Sequence, residues 1–444
     1  MKKTSKKNQF SGIRNIFRSL KYRNYRLFFG GQSISLIGTW IQRIAMPWLV
    51  YQISDSVVLL GVVGFTSQIP TFLLAPFAGV ISDRYNRYHI LIATQILAMI
   101  QAFILAFLYF AGIIEVWHII LLSIILGIIN AFDIPARHSF VIEMVENKED
   151  LGNAIALNSS MFNGARLVGP SIAGILIAAA GEGICFFLNS ASYLFVIVSL
   201  LLMKVKPREN KNQNNKILKD LKEGFLYAFG FIPIKAIILL LGLISLVGMP
   251  YTVLIPVFAK EVLHGGPHTF GFLMGASGIG ALISALYLAS RKSVLGLGKM
   301  IPLASIVFGT GLILFSLSRM FFISLILIII TGMGMMLQMA SSNTILQTIA
   351  DDDKRGRVMS FYTMAFMGTA PLGSLLAGWT AKVFGAPNTL LTGGILCIFG
   401  GLIFATKLPA LRTLVKPIYV KLGIIPEVAQ GILTASELTT PPEE

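Results

Sequence analysis

The chain is a succession of apolar runs, each about as long as a helix that crosses a bilayer, separated by short polar breaks. A hydrocarbon layer of about 30 Å takes roughly 20 apolar residues, and a single helix satisfies its own backbone there. Twelve such runs are legible, the first at 27–51 and the last at 389–406. The pattern predicts an all-α membrane protein of twelve transmembrane helices in two six-helix halves. Composition agrees: 55% of the 444 residues are hydrophobic and only 13% charged, too few charges to cover a soluble domain of this length.

The formal net charge of +16 could point to nucleic acid, but its distribution argues otherwise. Most Lys and Arg fall in the N-terminal tail, the loops after even-numbered runs and the C-terminal tail. The positive-inside bias places those segments in the cytoplasm, with both termini, and the chain in a plasma membrane of the bacterial inner-membrane type. Basic stretches such as Lys2–Lys7 are suited to anionic lipid heads. No cleavable signal peptide is legible. Five segments follow: a basic tail at 1–26, a first half at 27–203, a linker at 204–233, a second half at 234–406 and a tail at 407–444. Apolar spacing over 217–225 predicts an amphipathic surface helix in the linker, and 416–436 predicts another, broken at Pro426. Gly169-Pro170 in the fifth run and Ala370-Pro371 in the eleventh suggest that the halves are diverged copies, which suits alternating access by rocking.

Several chemistries have no sequence support. Five histidines are scattered without a metal-ligand spacing, so no metal and no cofactor is expected. There is no phosphate-binding G-x-x-x-x-G-K-[ST] and no nucleophile–base pair, which argues against an ATP-driven pump and against an enzyme. Cys185 and Cys397 lie within apolar runs and read as packing residues.

After the second run the sequence is Gly79-Val80-Ile81-Ser82-Asp83-Arg84-Tyr85-Asn86-Arg87-Tyr88. This resembles the major facilitator signature G-x-x-x-D-[RK]-x-G-[RK]-[RK], with Asn86 and Tyr88 departing from it. Gly79 would permit close helix approach, and Asp83 could cap the third helix and pair with a cation. The resemblance implies the major facilitator fold and a conformational latch formed by Gly79, Asp83, Arg84 and Arg87, with Asp133 of span 4 relaying to Arg87. Asp133 is the one carboxylate clearly inside a run, so a partner is expected. Gly169-Pro170-x-x-x-Gly174, one turn after Arg166, resembles the superfamily's antiporter motif and suits packing against the opposite half. Trp40-Ile41-Gln42-Arg43-Ile44-Ala45, Glu149-Asp150-Leu151-Gly152-Asn153-Ala154 and Arg355-Gly356-Arg357-Val358 are similar to the drug:proton antiporter group that includes enterobactin-exporter-like and macrolide-efflux-like proteins.

In that fold, spans 1, 4, 7 and 10 line a central cavity. Gln32, Ser35, Thr39, Gln42 and Arg43 share one face of span 1 and are expected to meet water or substrate there. Tyr251, Gln338 and Asn343 are further candidates. Arg43 is read as a gating residue or as a contact for an anionic group. Arg166 is read as a packing or gating residue. The reading favours proton-coupled export of a bulky organic compound by a monomer. Uptake of a small metabolite and a non-transporting sensor or assembly protein are the alternatives.

Overall fold

The computed structural model describes residues 17–205, 226–291, 293–351 and 354–424, apart from the side chains of Val80, Asp83 and Lys148. Every regular element among them is helical. The rods are α1 (Arg23–Ser54), α2 (Val57–Arg84), α3 (Arg87–Phe110), α4 (Val116–Glu143), α5 (Leu151–Ala180), α6 (Glu182–Leu201), α7 (Ile232–Val262), α8 (Pro267–Ser290), α9 (Leu297–Leu317), α10 (Phe321–Ile349), α11 (355–384) and α12 (Ala386–Lys421). Ten helices are long and apolar enough to cross a membrane. The two remaining rods, α1 and α11, fit the expected twelve.

Chain chemistry sets where the rods stop. Ser56 caps α2 by accepting from the Leu59 N–H, and Asn86 caps α3 by accepting from the Tyr88 N–H. The cap of α3 is therefore Asn86, the residue that departs from the signature, and not Asp83. Gly248 and Pro250 interrupt α7 after Val247, as expected where flexibility adjoins a missing N–H. The turns repeat between halves. Asp55, between α1 and α2, and His264, between α7 and α8, both have positive φ. Gly181 between α5 and α6 and Gly385 between α11 and α12 do so again.

Packing repeats in the same way. In the first half α1 meets α5 and α6, α3 meets α4 and α6, and α2 meets α4. In the second, α7 meets α11 and α12, α9 meets α10 and α12, and α8 meets α10.

Three expectations need correction at the ends. The first rod begins at Arg23, inside the presumed tail, because Tyr25 and Phe28 are buried against Leu91 and Phe140. The seventh, whose apolar run in the sequence is 234–258, reaches Val262, burying Phe258 and Ala259. The last runs unbroken past 406 to Lys421, through Pro409 and Pro417. Phe404, Leu408, Leu411, Val415 and Ile418 recur at spacings of three and four, and this stripe holds the extension on the core. The linker helix expected at 217–225, and 425–436 of the expected tail helix, lie outside the described residues.

Candidate functional site

Rod ends alternate in direction, so the molecule has a basic face, where α1 begins, and a far face opposite. Two seams join the halves, α5 with α8 and α2 with α11. Their backbones nearly touch. A β-carbon on Gly174 would stand 2.8 Å from the Pro267 carbonyl oxygen, and one on Gly271 would stand 2.5 Å from that of Pro170. Across the other seam, a β-carbon on Gly61 would stand 2.6 Å from the Ser374 carbonyl oxygen. Gly169 instead faces Trp40 of its own half.

The far face is closed by side chains from both halves. The Tyr51 hydroxyl donates to Glu261, Lys260 pairs with Asp55 at 2.6 Å, and Trp48 stacks on Phe270 with centroids 6.0 Å apart. Toward the basic face, α2 and α11 part. The 355–363 segment of α11 packs on α10 and α7 of its own half. Gly79 has nothing within 4 Å of where a β-carbon would lie. The close approach expected at Gly79 is not made in this conformation, because α11 has swung away from that end of α2.

Beneath this roof lies Arg43, about 7 Å below Trp48 along α1. It is exposed although its chain neighbours Gln42 and Ile44 are buried. Its guanidinium sits 5.1 Å from the centre of the Trp40 ring, and Trp40 meets Phe162 edge-on at 6.0 Å. Arg137 of α4 and Arg166 of α5 both lie within electrostatic range of it. Among the described residues, neither Arg43 nor Arg166 forms a hydrogen bond or ion pair. Arg43 thus stands exposed between a closed far face and helices that part toward the basic face.

The rest of the span 1 stripe is placed elsewhere. Gln32, Ser35 and Gln42 are buried, because α1 turns this polar face to α6, where Gly38 packs on Ser192 and Asn189. Gln42 sits in a chain of amides: Asn189 donates to it at 2.7 Å and it donates to Gln101 at 3.1 Å. Gln101 in turn donates to the Leu122 carbonyl at 3.2 Å. This chain pins four helices together. Thr39 is half-buried and bonds the Ser35 carbonyl at 2.9 Å. Tyr251 and Gln338 are also buried, with Tyr251 on Ser277 at 2.6 Å and Gln338 on Ser342 at 3.4 Å. A polar side chain in a membrane is as readily explained by a polar neighbour as by water, and Gln42 and Tyr251 have one, whereas the Gln32 and Gln338 side-chain oxygens are buried without a hydrogen bond among the described residues. Asn343, which accepts from Gln347 at 2.6 Å, lines a cavity of about 480 Å³ at the basic-face end of α10, with Arg355 and Ile424.

Asp133 is 5% exposed and lies about 15 Å from the end of α4. It accepts from Thr94 at 3.0 Å and Gln95 at 2.7 Å, and pairs with Arg137 at 3.2 Å. The partner is thus one turn away on the same helix. Arg87 pairs instead with Glu143 at 2.7 Å, ten residues further along α4, and bonds the Ser82 carbonyl at 3.2 Å. Arg84 is exposed at the end of α2, and the Asp83 side chain lies outside the described residues.

One motif finds a role that sequence reading did not assign. Asp150 pairs with Lys21 at 2.6 Å and Arg18 at 3.0 Å and accepts from the Tyr22 hydroxyl at 2.7 Å. Asn153 accepts from the Ser19 N–H, and the Ala154 carbonyl accepts from the Tyr25 hydroxyl. The Asp150–Ala154 stretch is a socket for the short helical turn Arg18–Lys21.

A two-half helical bundle, sealed at one face by contacts between its halves and carrying arginines within its spans, has a counterpart among known families. The family model described as transmembrane secretion effector matches residues 15–417. The chain belongs to that family of major facilitator transporters. Relatives match most of this chain and nearly all of their own length. It is 28% identical to the staphyloferrin A transporter of Staphylococcus aureus, over 84% of this chain and 94% of that one. It is 22% identical to macrolide efflux protein A of Streptococcus pyogenes, over 85% and 95%. A solved POT family transporter has the same fold, with a TM-score of 0.70 at 13% identity over 88% and 96%.

The far-face closure was missed in the sequence. Lys260 and Glu261 stand together at the end of a run on the side otherwise poor in charge, and that isolation was the available signal.

Proposed function

We propose that this transporter exports a bulky organic compound from the cytoplasm by alternating access, with proton movement as the driving reaction. The observation that carries the reading is the asymmetry of the two faces: the far side is sealed by contacts between halves, while the basic side is parted toward Arg43, which is exposed, and Arg166, which is half-buried. With the basic face in the cytoplasm, as the positive-inside bias argues, this is a loading conformation for cargo leaving the cell. Both termini then lie in the cytoplasm of a bacterial-type inner membrane. The seams and the far-face closure are made within one chain, in keeping with a working monomer. The names of the relatives, a staphyloferrin A transporter and a macrolide efflux protein, support a large organic cargo.

Asp133 is the proposed proton site. A carboxylate held by two neutral donors and one arginine deep in a span exchanges partners when protonated, which would couple proton entry to movement of α4. The expected result is dye or macrolide efflux from expressing cells that collapses with an uncoupler and falls at least tenfold in Asp133→Asn at equal membrane expression. Efflux that survives the uncoupler would remove proton coupling. Unaltered efflux in the variant would remove Asp133 from it.

A further inference from the structure

The arginines at the roof of the cavity call for an explanation that gating does not supply. An arginine within a span is costly unless something satisfies it, at roughly 2.5–3.5 kcal/mol on insertion scales. Arg137 is satisfied by Asp133. Arg43 and Arg166 have no acid and no hydrogen-bond acceptor among the described residues, and the closing contacts of the far face are made by other side chains, Tyr51 with Glu261 and Lys260 with Asp55. Three guanidinium groups share a neighbourhood with one carboxylate, which leaves an excess of about two positive charges facing the cavity.

The surroundings narrow the chemistry further. Arg43 lies over Trp40, and Phe162, which packs on Trp40, is 41% exposed. The contact with Trp40 tethers the Arg43 guanidinium, and with no hydrogen bond among the described residues its N–H groups remain available to a carboxylate, which can take two in parallel. The exposed ring edge beside it offers an apolar contact for a flat organic body.

Building on the export reading above, we propose that Arg43 and Arg166 form the anion-binding end of the cargo site, and that the cargo is an organic acid with an aromatic or otherwise flat apolar body. The acid group docks under the Trp48–Phe270 roof, and the body lies against Trp40 and Phe162. Charge recognised this way discriminates strongly against cations, because two unpaired arginines in a low-dielectric cavity repel them.

The test is efflux of an anionic dye, carboxyfluorescein, and a cationic dye, ethidium, from cells expressing the full chain, its Arg43→Gln and Arg166→Gln variants, and Arg43→Lys. Membrane abundance is measured for each. The expected result is export of carboxyfluorescein that falls about tenfold or more in either Gln variant, is partly retained in Arg43→Lys, and is not matched by ethidium export. Anion export unchanged in both Gln variants would overturn the proposal. Ethidium export without carboxyfluorescein export would also overturn it, while leaving the export reading intact. Failure of both dyes to move would overturn the export reading itself and the anion site with it.

Discussion

At the scale of residues, the informative comparison is between polar groups that look alike in sequence. Gln42 and Arg43 are adjacent, yet one is pinned between Asn189 and Gln101 and the other stands exposed. A helix face defined by spacing covers about a third of the circumference, and one step of about 100° moves a side chain from packed to open. Asp150 is a second case. Hydrogen bonding from Lys21 and Tyr22 holds its carboxyl below the usual range, and the Asp150 carboxylate raises the Lys21 amine above its own. The sign follows from linkage. The depressed carboxyl stabilises the socket above the unfolded value near 4, and that stability is lost as pH falls through the lower folded value. The raised amine stabilises it below the unfolded value near 10.5, with loss on the alkaline side. Spin labels replacing Phe17 and Gly152 are expected to hold one short distance across the neutral range and to spread in acid. In Asp150→Asn the spread is expected at every pH.

At the scale of elements, helix existence was plain in the sequence, and helix ends and partners were not. Hydropathy locates α12 because the run is apolar. Its extension to Lys421 rests on a stripe of five residues that composition dilutes among Lys407, Arg412 and Lys416. Partner choice escapes for a related reason: Asp133 could reach Arg87 or Arg137 by type, and only the fold decides that Arg87 faces Glu143. The far ends of α1 and α7 form the element-level gate. Lys260→Ala combined with Glu261→Ala removes both polar links of this gate and leaves the aromatic stack. A cysteine at Gln52 is then expected to react several-fold faster with a membrane-impermeant thiol reagent, since Cys185 and Cys397 are buried and contribute no background. An unchanged rate would mean that stacking alone keeps the face shut.

At the scale of the whole molecule, two seams of small residues act as the bearing on which the halves turn. Neither seam has room for a side chain: the Gly174 and Gly61 positions meet carbonyl oxygens, which cannot move aside as a flexible side chain would. Gly174→Val is therefore expected to hold the far face ajar and to cut transport at least tenfold, with modest loss of expression. Gly79→Val is expected to express normally, because that position faces open space here. Its effect should appear in transport alone, if the basic face closes on it during the cycle. Comparing expression and flux for the two variants separates a contact made in this conformation from one made in the other. The duplicated architecture was legible in the paired Gly-Pro and Ala-Pro motifs. The match of Asp55 to His264 was not, because a backbone torsion can repeat where the residue does not.

The socket around Asp150 also bears on how the chain is made. Tyr22 and Asp150 are separated by 128 positions, so α1 is synthesised and inserted well before its anchor exists. Until translation passes Asn153 and Ala154, only the basic flank at Arg18, Lys21, Arg23 and Arg26 can hold that end of α1 at the lipid surface. Closing the socket then requires that the first four helices have been threaded so that α5 begins on the side where α1 begins, which makes the contact an assembly checkpoint that later helices can build upon.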